Sequence, residues 1–444
     1  MCRLSQTKPS PILGHTSLGP ILGQPNFCGS CMSFFDFYEQ QTFKDLVNSD
    51  DVYVDKTGQI CELYRNHNTF ELLARPLGFG KTMLIDTITN LFRHKYPSFF
   101  ADLAVANSDV KFPEQKVMRL DFSLNNATLG STLPDYLANY FRTRAFENGL
   151  RTEINRDDNV YWQTVAYVKS LAEVSPSGKV VILIDNYDYP ILKNLFKPAA
   201  SSYYQSLLEF LRALSDNEEY IDWCLITGET KFYLSQDGQE GLCYIKDLTF
   251  EGSSTHICGF TEGEMRNYFN DFLQDEAECA GMTTEEFLSK LFDWYGNYRL
   301  TEQNIRVMRP ESICKFLNLR DQNEYRSFYD ASHVETVLET ILTKYSRSAE
   351  RLLMPNSFGY NFCEYSNLNS VRPFALLFQL GFFSLDHIDI DISCTPPTYG
   401  YYSKFSNREM QEFYQNTVKK LNLPDPQPSA NKNRRRVQTE PDNA

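Results

Sequence analysis

Arg75-Pro76-Leu77-Gly78-Phe79-Gly80-Lys81-Thr82 has the composition of a loop that cradles an anion. It follows a short strand-like run, Thr69-Phe70-Glu71-Leu72-Leu73-Ala74. It precedes Lys81 to Phe92, where Leu84, Ile85, Ile88, Leu91 and Phe92 recur as one helical stripe. In a strand–loop–helix unit of this kind, successive backbone N–H groups wrap a phosphate and the helix presents its positive end to it. Lys81 would reach the β- and γ-phosphates, and the Thr82 hydroxyl would ligate Mg²⁺. Gly80 would let the backbone approach without a Cβ in the way. The pattern G-x-x-x-x-G-K-[ST] is incomplete, because Arg75 stands where its first Gly belongs. A plain strand-to-helix turn with an exposed lysine accounts for Gly-Lys-Thr by itself.

Val180-Val181-Ile182-Leu183-Ile184-Asp185 supplies the complement: an apolar strand ending in a carboxylate, the Walker B arrangement that holds Mg²⁺ at a strand's carboxyl end. The strand Val117–Phe122 falls between Lys81 and Asp185 in the sequence. It leaves room for one extra strand between the two motif strands, the construction of the P-loop branch that includes the AAA proteins. Thr227-Gly228 closes a further strand, Trp223–Thr227, and would place a polar group as a sensor of nucleotide state, with Lys231 close behind. An ordinary strand end turning at Gly is the plainer alternative. The expected nucleotide contacts are Arg75, Gly78, Phe79, Gly80, Lys81, Thr82 and Thr227, with Thr82 and Asp185 on the metal. Arg75 and Arg299 carry guanidinium groups able to fork onto phosphate oxygens, although a surface ion pair explains Arg299 as readily.

These groups need an α/β frame. Strand-like runs at 69–74, 117–122, 179–184 and 223–227 alternate with helical ones at 81–92, 134–146 and 202–214, which predicts a mostly parallel sheet. After about residue 260 the pattern predicts helices. The capping boxes Thr261-x-x-Glu264 and Thr283-x-x-Glu286 start two of them, and Gly296 ends the second. A third runs from His333 to Leu353, and an apolar segment follows at Phe374–Leu385. The expected organisation is a flexible leader over 1–32, a P-loop domain over 33–260, a mainly helical region over 261–423 and a polar tail over 424–444.

The 444 residues are 42% apolar, enough for a large core, and contain no run of about 18 apolar residues that would span a membrane. Asp+Glu 57 against Lys+Arg 43 gives a net charge of −14, which disfavours a nucleic-acid coat or an anionic-membrane binder. Lys432-Asn433-Arg434-Arg435-Arg436 is a local basic run, read as a solvated tail. Eleven Cys without regular spacing read as thiols in a reducing, cytoplasmic setting. Cys28-Gly-Ser-Cys31 has no second pair to complete a zinc ribbon, and the six His show no metal spacing.

Several blocks, in order, resemble the AAA-ATPase-like domain family of P-loop ATPases. Tyr53-Val54-Asp55-Lys56-Thr57 is similar to its Y-V-D-K-T, and Arg75-Pro76 through Gly80-Lys81-Thr82 to its R-P-x-x-F-G-K-[ST], including the Arg. Leu120-Asp121-Phe122-Ser123 resembles its L-D-F-S, and Leu183-Ile184-Asp185-Asn186-Tyr187-Asp188-Tyr189-Pro190 its L-I-D-E-Y-D-x-P. Thr227-Gly228, Asp247-Leu248-Thr249, Gly259-Phe260-Thr261-x-x-Glu264 and Trp294-Tyr295-Gly296-Asn297-Tyr298-Arg299 match later blocks. The resemblance covers roughly residues 34–320, with weaker similarity to about 415. It implies ATP and Mg²⁺ binding and, for typical members, hydrolysis. Many members carry a following nuclease-like domain. No Asp…(Glu/Asp)-x-Lys grouping follows Arg320, and no nuclease activity is expected.

One departure bears on the chemistry. The family's acidic residue after the Walker B Asp is Asn186, which can hold a water but cannot accept its proton. If general-base action is worth about 10²–10⁴-fold, nucleotide binding would survive and hydrolysis would nearly vanish. Asp188, two positions on, is the nearest stand-in and points to the same side if strand geometry persists. The catalytic set is therefore Lys81, Asp185, Asn186 and Asp188. Three functions remain: an Mg²⁺-dependent ATPase or nucleotide-gated switch, an ATP-binding interaction module with little turnover, and a structural scaffold with a decayed site. A protein partner and an oligomer are compatible with the first two. Asp55 and Lys56 would either line the site or lock the start of the domain onto the sheet.

Overall fold

A computed structural model describes residues 43–47, 52–123, 132–151, 154–155, 158–234, 245–318, 325–344, 357–358, 368, 371–391, 393 and 398–423. The leader 1–32 with Cys28 and Cys31, the tail with Lys432–Arg436, and residues 345–353 of the long helix expected from His333 lie outside these. The helices are α1 (Phe43–Val47), α2 (Thr57–Arg65), α3 (Lys81–Phe92), α4 (Pro97–Phe100), α5 (Leu133–Glu147), α6 (Val160–Glu173), α7 (Tyr189–Lys193) and α8 (Pro198–Ser215). They continue with α9 (Glu262–Cys279), α10 (Thr284–Tyr295), α11 (Pro310–Asn318), α12 (Ser332–Lys344), α13 (Pro373–Gln379) and α14 (Arg408–Lys420). The strands are β1 (Phe70–Ala74), β2 (Lys116–Asp121), β3 (Val180–Asp185), β4 (Ile221–Gly228), β5 (Lys246–Asp247), β6 (Phe260–Thr261), β7 (Val307–Met308), β8 (Ser357–Phe358), β9 (Phe383–Asp391) and β10 (Thr398–Phe405).

Among the described residues, β1–β5 form one sheet in the order β2-β3-β4-β1-β5, and every adjacent pair is parallel. This mixed α/β architecture is consistent with a P-loop-like core. The inner strands are mostly apolar because helices cover both faces: every residue of β1 and of β3 is buried, the charged Glu71 and Asp185 included. Polar Lys116, Arg119 and Asp121 of β2 are only half-buried, which fits the edge position of that strand. The extra strand between the two motif strands is thus β4, which arrives later in the chain. The Val117–Phe122 strand, which intervenes in the sequence, lies outside β3.

Beyond residue 260 both expected capping boxes form, and Gly296 ends α10. The region is not helical throughout. The apolar stretch 374–385 divides into α13 and the start of β9, and β9 pairs with β10 in an antiparallel three-stranded sheet, β8-β10-β9. An unbroken apolar run does not distinguish a buried helix from a buried strand, and here it supplies both. Leu225 and Ile226 of β4 share one buried cluster with Val334 and Leu338 of α12 and with Leu376 of α13.

The elements after residue 300 close on the loop between β1 and α3. Arg309 is fully buried; its Nε donates to Leu77 O at 2.9 Å and its Nη1 to Ser312 Oγ at 2.8 Å. It also pairs with Glu311 and lies 3.7 Å from the buried Glu409 carboxylate. Glu311 N donates to Gly78 O at 3.2 Å, and Gly259 N to Phe79 O at 3.1 Å. A Cβ at Gly78 would collide with the Arg309 and Glu311 side chains, and Gly78 holds φ +79°, which other residues adopt at a cost.

Removing one partner of a buried pair leaves an uncompensated charge and costs about 3–5 kcal/mol. Arg309→Ala should therefore lower the urea unfolding midpoint by an equivalent amount, through the stranded Glu409. A midpoint equal to that of the parent would show that Arg309 does not hold these elements together.

Candidate functional site

The carboxyl ends of the parallel strands assemble the site. Register pairs Ala74 with Gly228, Ile184 with Ile226, and Asp121 with Asp185. The loop after β1, the end of β4, Asp185 and Asp121 therefore share one rim of the sheet. Phe79, Gly80 and Lys81 lead from the loop into α3, and Gly80 holds φ +89°, a glycine conformation. A Cβ there would meet no heavy atom within 4 Å, so the backbone at Gly80 faces open space.

Lys81 is buried at the centre of the loop. Its Nζ donates to the carbonyls of Arg75 and Pro76 at 2.8 and 3.0 Å. Thr82 is exposed, and its Oγ1 donates to Asp185 Oδ2 at 2.6 Å across 103 positions of sequence. Thr227 Oγ1 donates to Asp185 Oδ1 at 2.7 Å. The Thr227 hydroxyl thus braces the carboxylate from behind. Burial pushes the Asp185 carboxyl up; the neighbouring Asp121 adds to this, while the two threonine hydrogen bonds and Lys81 pull it back. A site that penalises its own carboxylate in this way gains from a cation. A hydroxyl beside a carboxylate is a hard oxygen donor set of the kind Mg²⁺ takes. Thr82 and Asp185 therefore fit the metal, and Mg²⁺ bound there would supply charge to offset phosphate oxygens.

Asn186 sits at φ +55°, a left-handed conformation that Asn tolerates better than most residues. Its Nδ2 donates to Asp121 Oδ1 at 3.0 Å. Asp121 belongs to the Leu120–Ser123 block but has no role assignable from that block alone. The signal was available, since Asp121 ends a strand as Asp185 does. Asp188 is fully buried and engaged elsewhere: it accepts from Glu229 N (3.1 Å), Thr230 N (2.6 Å) and Thr230 Oγ1 (2.7 Å). Its carboxylate anchors the turn after β4.

The other expected contacts fall into two groups. Gly78 has no side chain to offer a ligand, and that of Phe79 is buried and packs edge-on against Tyr298, with centroids 4.9 Å apart. The Arg75 guanidinium is turned away from the loop face. It donates to Ala74 O, Thr249 O, Ser254 O and Ser254 Oγ at 2.7–2.9 Å, tying the loop to the segment after β5. Arg299 donates to the carbonyls of Glu302 and Gln303, and Lys231 pairs with Asp247 at 2.7 Å. Asp55 accepts from Thr57 N, Thr57 Oγ1 and Ala104 N, all at 2.7 Å. Lys56 donates to Glu264 of the first capping box at 2.5 Å and to His256 O at 2.9 Å. Both residues fasten the entry of the chain onto the later elements.

Residues 38–236 match the AAA-ATPase-like family. That family is described as a predicted AAA-ATPase. The match spans the blocks from Tyr53 to Thr227-Gly228; the blocks quoted after residue 236 lie beyond it. The chain is also similar to an "uncharacterized protein in vnfD 5'region" of Azotobacter chroococcum mcd 1, at 24% identity over 353 residues. That alignment covers 78% of this chain and 63% of the relative, so the chain spans under two thirds of the relative's length. No solved structure matches the chain. Among the described residues no helix is long and apolar enough to cross a membrane.

Burial, with the charge of Glu229 second, pushes Asp188 up to about 6 from an ordinary value of 3.8. A carboxyl raised on folding binds its proton more tightly in the native state. Its contribution to stability is therefore full below 3.8 and lost as pH rises through about 6. The difference in unfolding free energy between the parent and Asp188→Ala should fall by on the order of 2–3 kcal/mol from about pH 4 to about pH 6.5. A flat or rising difference in chemical denaturation across that window would contradict the assignment.

Proposed function

We propose that the Gly80–Thr82 loop and Asp185 bind Mg²⁺–ATP, and that the chain is an Mg²⁺-dependent ATPase or nucleotide-gated switch of AAA-like build. The observation that carries this is the 2.6 Å hydrogen bond between Thr82 and Asp185 at the rim of a parallel sheet, with Lys81 inside the adjoining loop. The match of residues 38–236 to a predicted AAA-ATPase family supports the same reading. Backbone N–H groups of the loop hold the phosphates, Lys81 neutralises the β- and γ-phosphate oxygens, and Thr82 with Asp185 holds the metal. Arg309 and Glu311, bonded to the loop carbonyls of Leu77 and Gly78, give the C-terminal elements a direct mechanical link to the nucleotide. Such a link would transmit nucleotide state to a protein partner or a neighbouring subunit. Buried thiols at Cys61 and Cys258 accord with a reducing, cytoplasmic compartment.

A second reading, an ATP-binding interaction module without turnover, rests on Asn186. Its amide is committed to Asp121, and it supplies no proton acceptor.

Calorimetry with ATP and Mg²⁺ tests the binding. Lys81→Ala should weaken ATP by at least about 10-fold, the loss of one charge-assisted phosphate contact at roughly 1.5–3 kcal/mol. Equal affinity of variant and parent would refute the loop assignment. Phosphate release by the parent at an ordinary enzymatic rate would eliminate the module reading.

A further inference from the structure

Glu229 lies one residue past the end of β4, the strand flanked by β3 with Asp185 and by β1 with the loop. It is 2% exposed, although it is a carboxylate. Its Oε1 accepts from His333 Nε2 on α12 at 2.7 Å, and His333 is itself buried and rests edge-on against Tyr189. Its Oε2 has no hydrogen-bond partner among the described residues, and neither does the Tyr329 hydroxyl. Both orphaned oxygens belong to one electrostatic neighbourhood: Tyr329 feels the charge of Glu229, and Lys81 acts on both Glu229 and His333. A buried carboxylate oxygen left unbonded costs a large desolvation penalty unless a water or ligand completes it. A bound water is the ordinary remedy for such an oxygen.

We propose that Glu229 is the group that orients the attacking water and takes its proton in ATP hydrolysis, with His333 as the residue that positions it. This rests on the ATP-binding reading above. The water oxygen bonds to the γ-phosphorus as the bond from that phosphorus to the β,γ-bridging oxygen breaks. ADP leaves with the electron pair of that bond, and the water's proton passes to Glu229 Oε2. The carboxylate that Asn186 does not provide after β3 is thereby supplied from the end of the neighbouring strand.

The groups facing Glu229 are His333 from α12, Asp188 from the turn after β3, Lys81 from the loop, and Arg309 and Tyr329 from the segments flanking α11. Burial raises the Glu229 carboxyl, and the attraction of His333, aided by Lys81 and Arg309, outweighs it, so the net direction is down. Replacing His333 with Gln keeps a hydrogen-bond donor and removes the charge. The carboxyl then rises, and the acid limb of the kcat profile moves to higher pH.

The experiment measures ATP affinity by calorimetry and phosphate release on the full chain for the parent, Glu229→Gln and His333→Gln. Glu229→Gln is expected to bind ATP as the parent does and to lose about 10²-fold or more in phosphate release. His333→Gln is expected to shift the acid limb upward while sparing ATP affinity. Parental phosphate release by Glu229→Gln overturns the proposal, as does a parent that binds ATP tightly yet releases none; ATP binding survives either result. If Glu229→Gln does not fold, the decision passes to His333→Gln, whose unshifted acid limb overturns the assignment. A parent that binds no ATP removes the binding reading and this one with it.

Discussion

The hydrogen bond from Thr82 to Asp185 is the constraint on which the site depends. It joins the first turn of α3 to the end of β3, and it forms only if β1 and β3 run in the same direction with their carboxyl ends level. Parallel pairing through β4 satisfies both conditions, because register places Ala74 opposite Gly228 and Ile184 opposite Ile226. A parallel sheet has to be covered on both faces, which accounts for the apolar run Val180–Ile184 of β3 and for the helices that flank it. The same burial makes the Asp185 carboxylate expensive, and its two threonine donors reduce that cost without neutralising it. The fold thus builds a demand for positive charge at the point where a metal would serve phosphate chemistry.

The elements after residue 260 bear on this rim instead of forming a remote appendage. Leu77, Gly78 and Phe79 each give their carbonyl to a donor from residues 259–311. The loop's shape is therefore fixed from outside as well as by its glycines. Close packing makes such a junction prone to two discrete arrangements, not to gradual deformation. A change in the loop would be transmitted to Arg309, and through it to Glu409 on α14.

The sequence made the frame legible where composition has one physical meaning. An all-apolar β3 ending in Asp, a glycine-bearing turn before an amphipathic helix, and two Thr-x-x-Glu boxes each correspond to one local structure, and each formed. Strand order was less accessible. Val117–Phe122 precedes Asp185 in the chain, and only the half-polar Lys116, Arg119 and Asp121 marked it as an edge. The stretch 374–385 is legible only as an apolar segment, because continuous apolarity carries no period to separate helix from strand. Motif position also said little about where side chains point. Arg75 and Asp188 stand among motif residues, yet both are spent on backbone groups of neighbouring turns. Glu229 and His333 are 104 residues apart and unremarkable singly, and only the approach of α12 to the end of β4 brings them together.

Asn186 takes its meaning from backbone conformation. At φ +55° the chain turns sharply off β3 toward Tyr187, whose N–H donates to Thr227 O at 3.0 Å and whose hydroxyl donates to Thr230 O at 2.9 Å. Asn and Asp are enriched in this region of φ/ψ space because a short polar side chain bonds locally, as Asn186 does to Asp121. A longer acidic side chain there would meet backbone strain and the charge of Asp121 together. Both effects disfavour an ionised carboxylate beside Asp185, where two acidic strand ends already adjoin. The end of β4 carries a different balance: Lys81, Arg309 and His333 place positive charge around Glu229, against its burial and the neighbouring Asp188 carboxyl, and the net effect holds the Glu229 carboxyl below its ordinary value. On electrostatic grounds, the end of β4 favours an ionised carboxylate more than the position after β3 does.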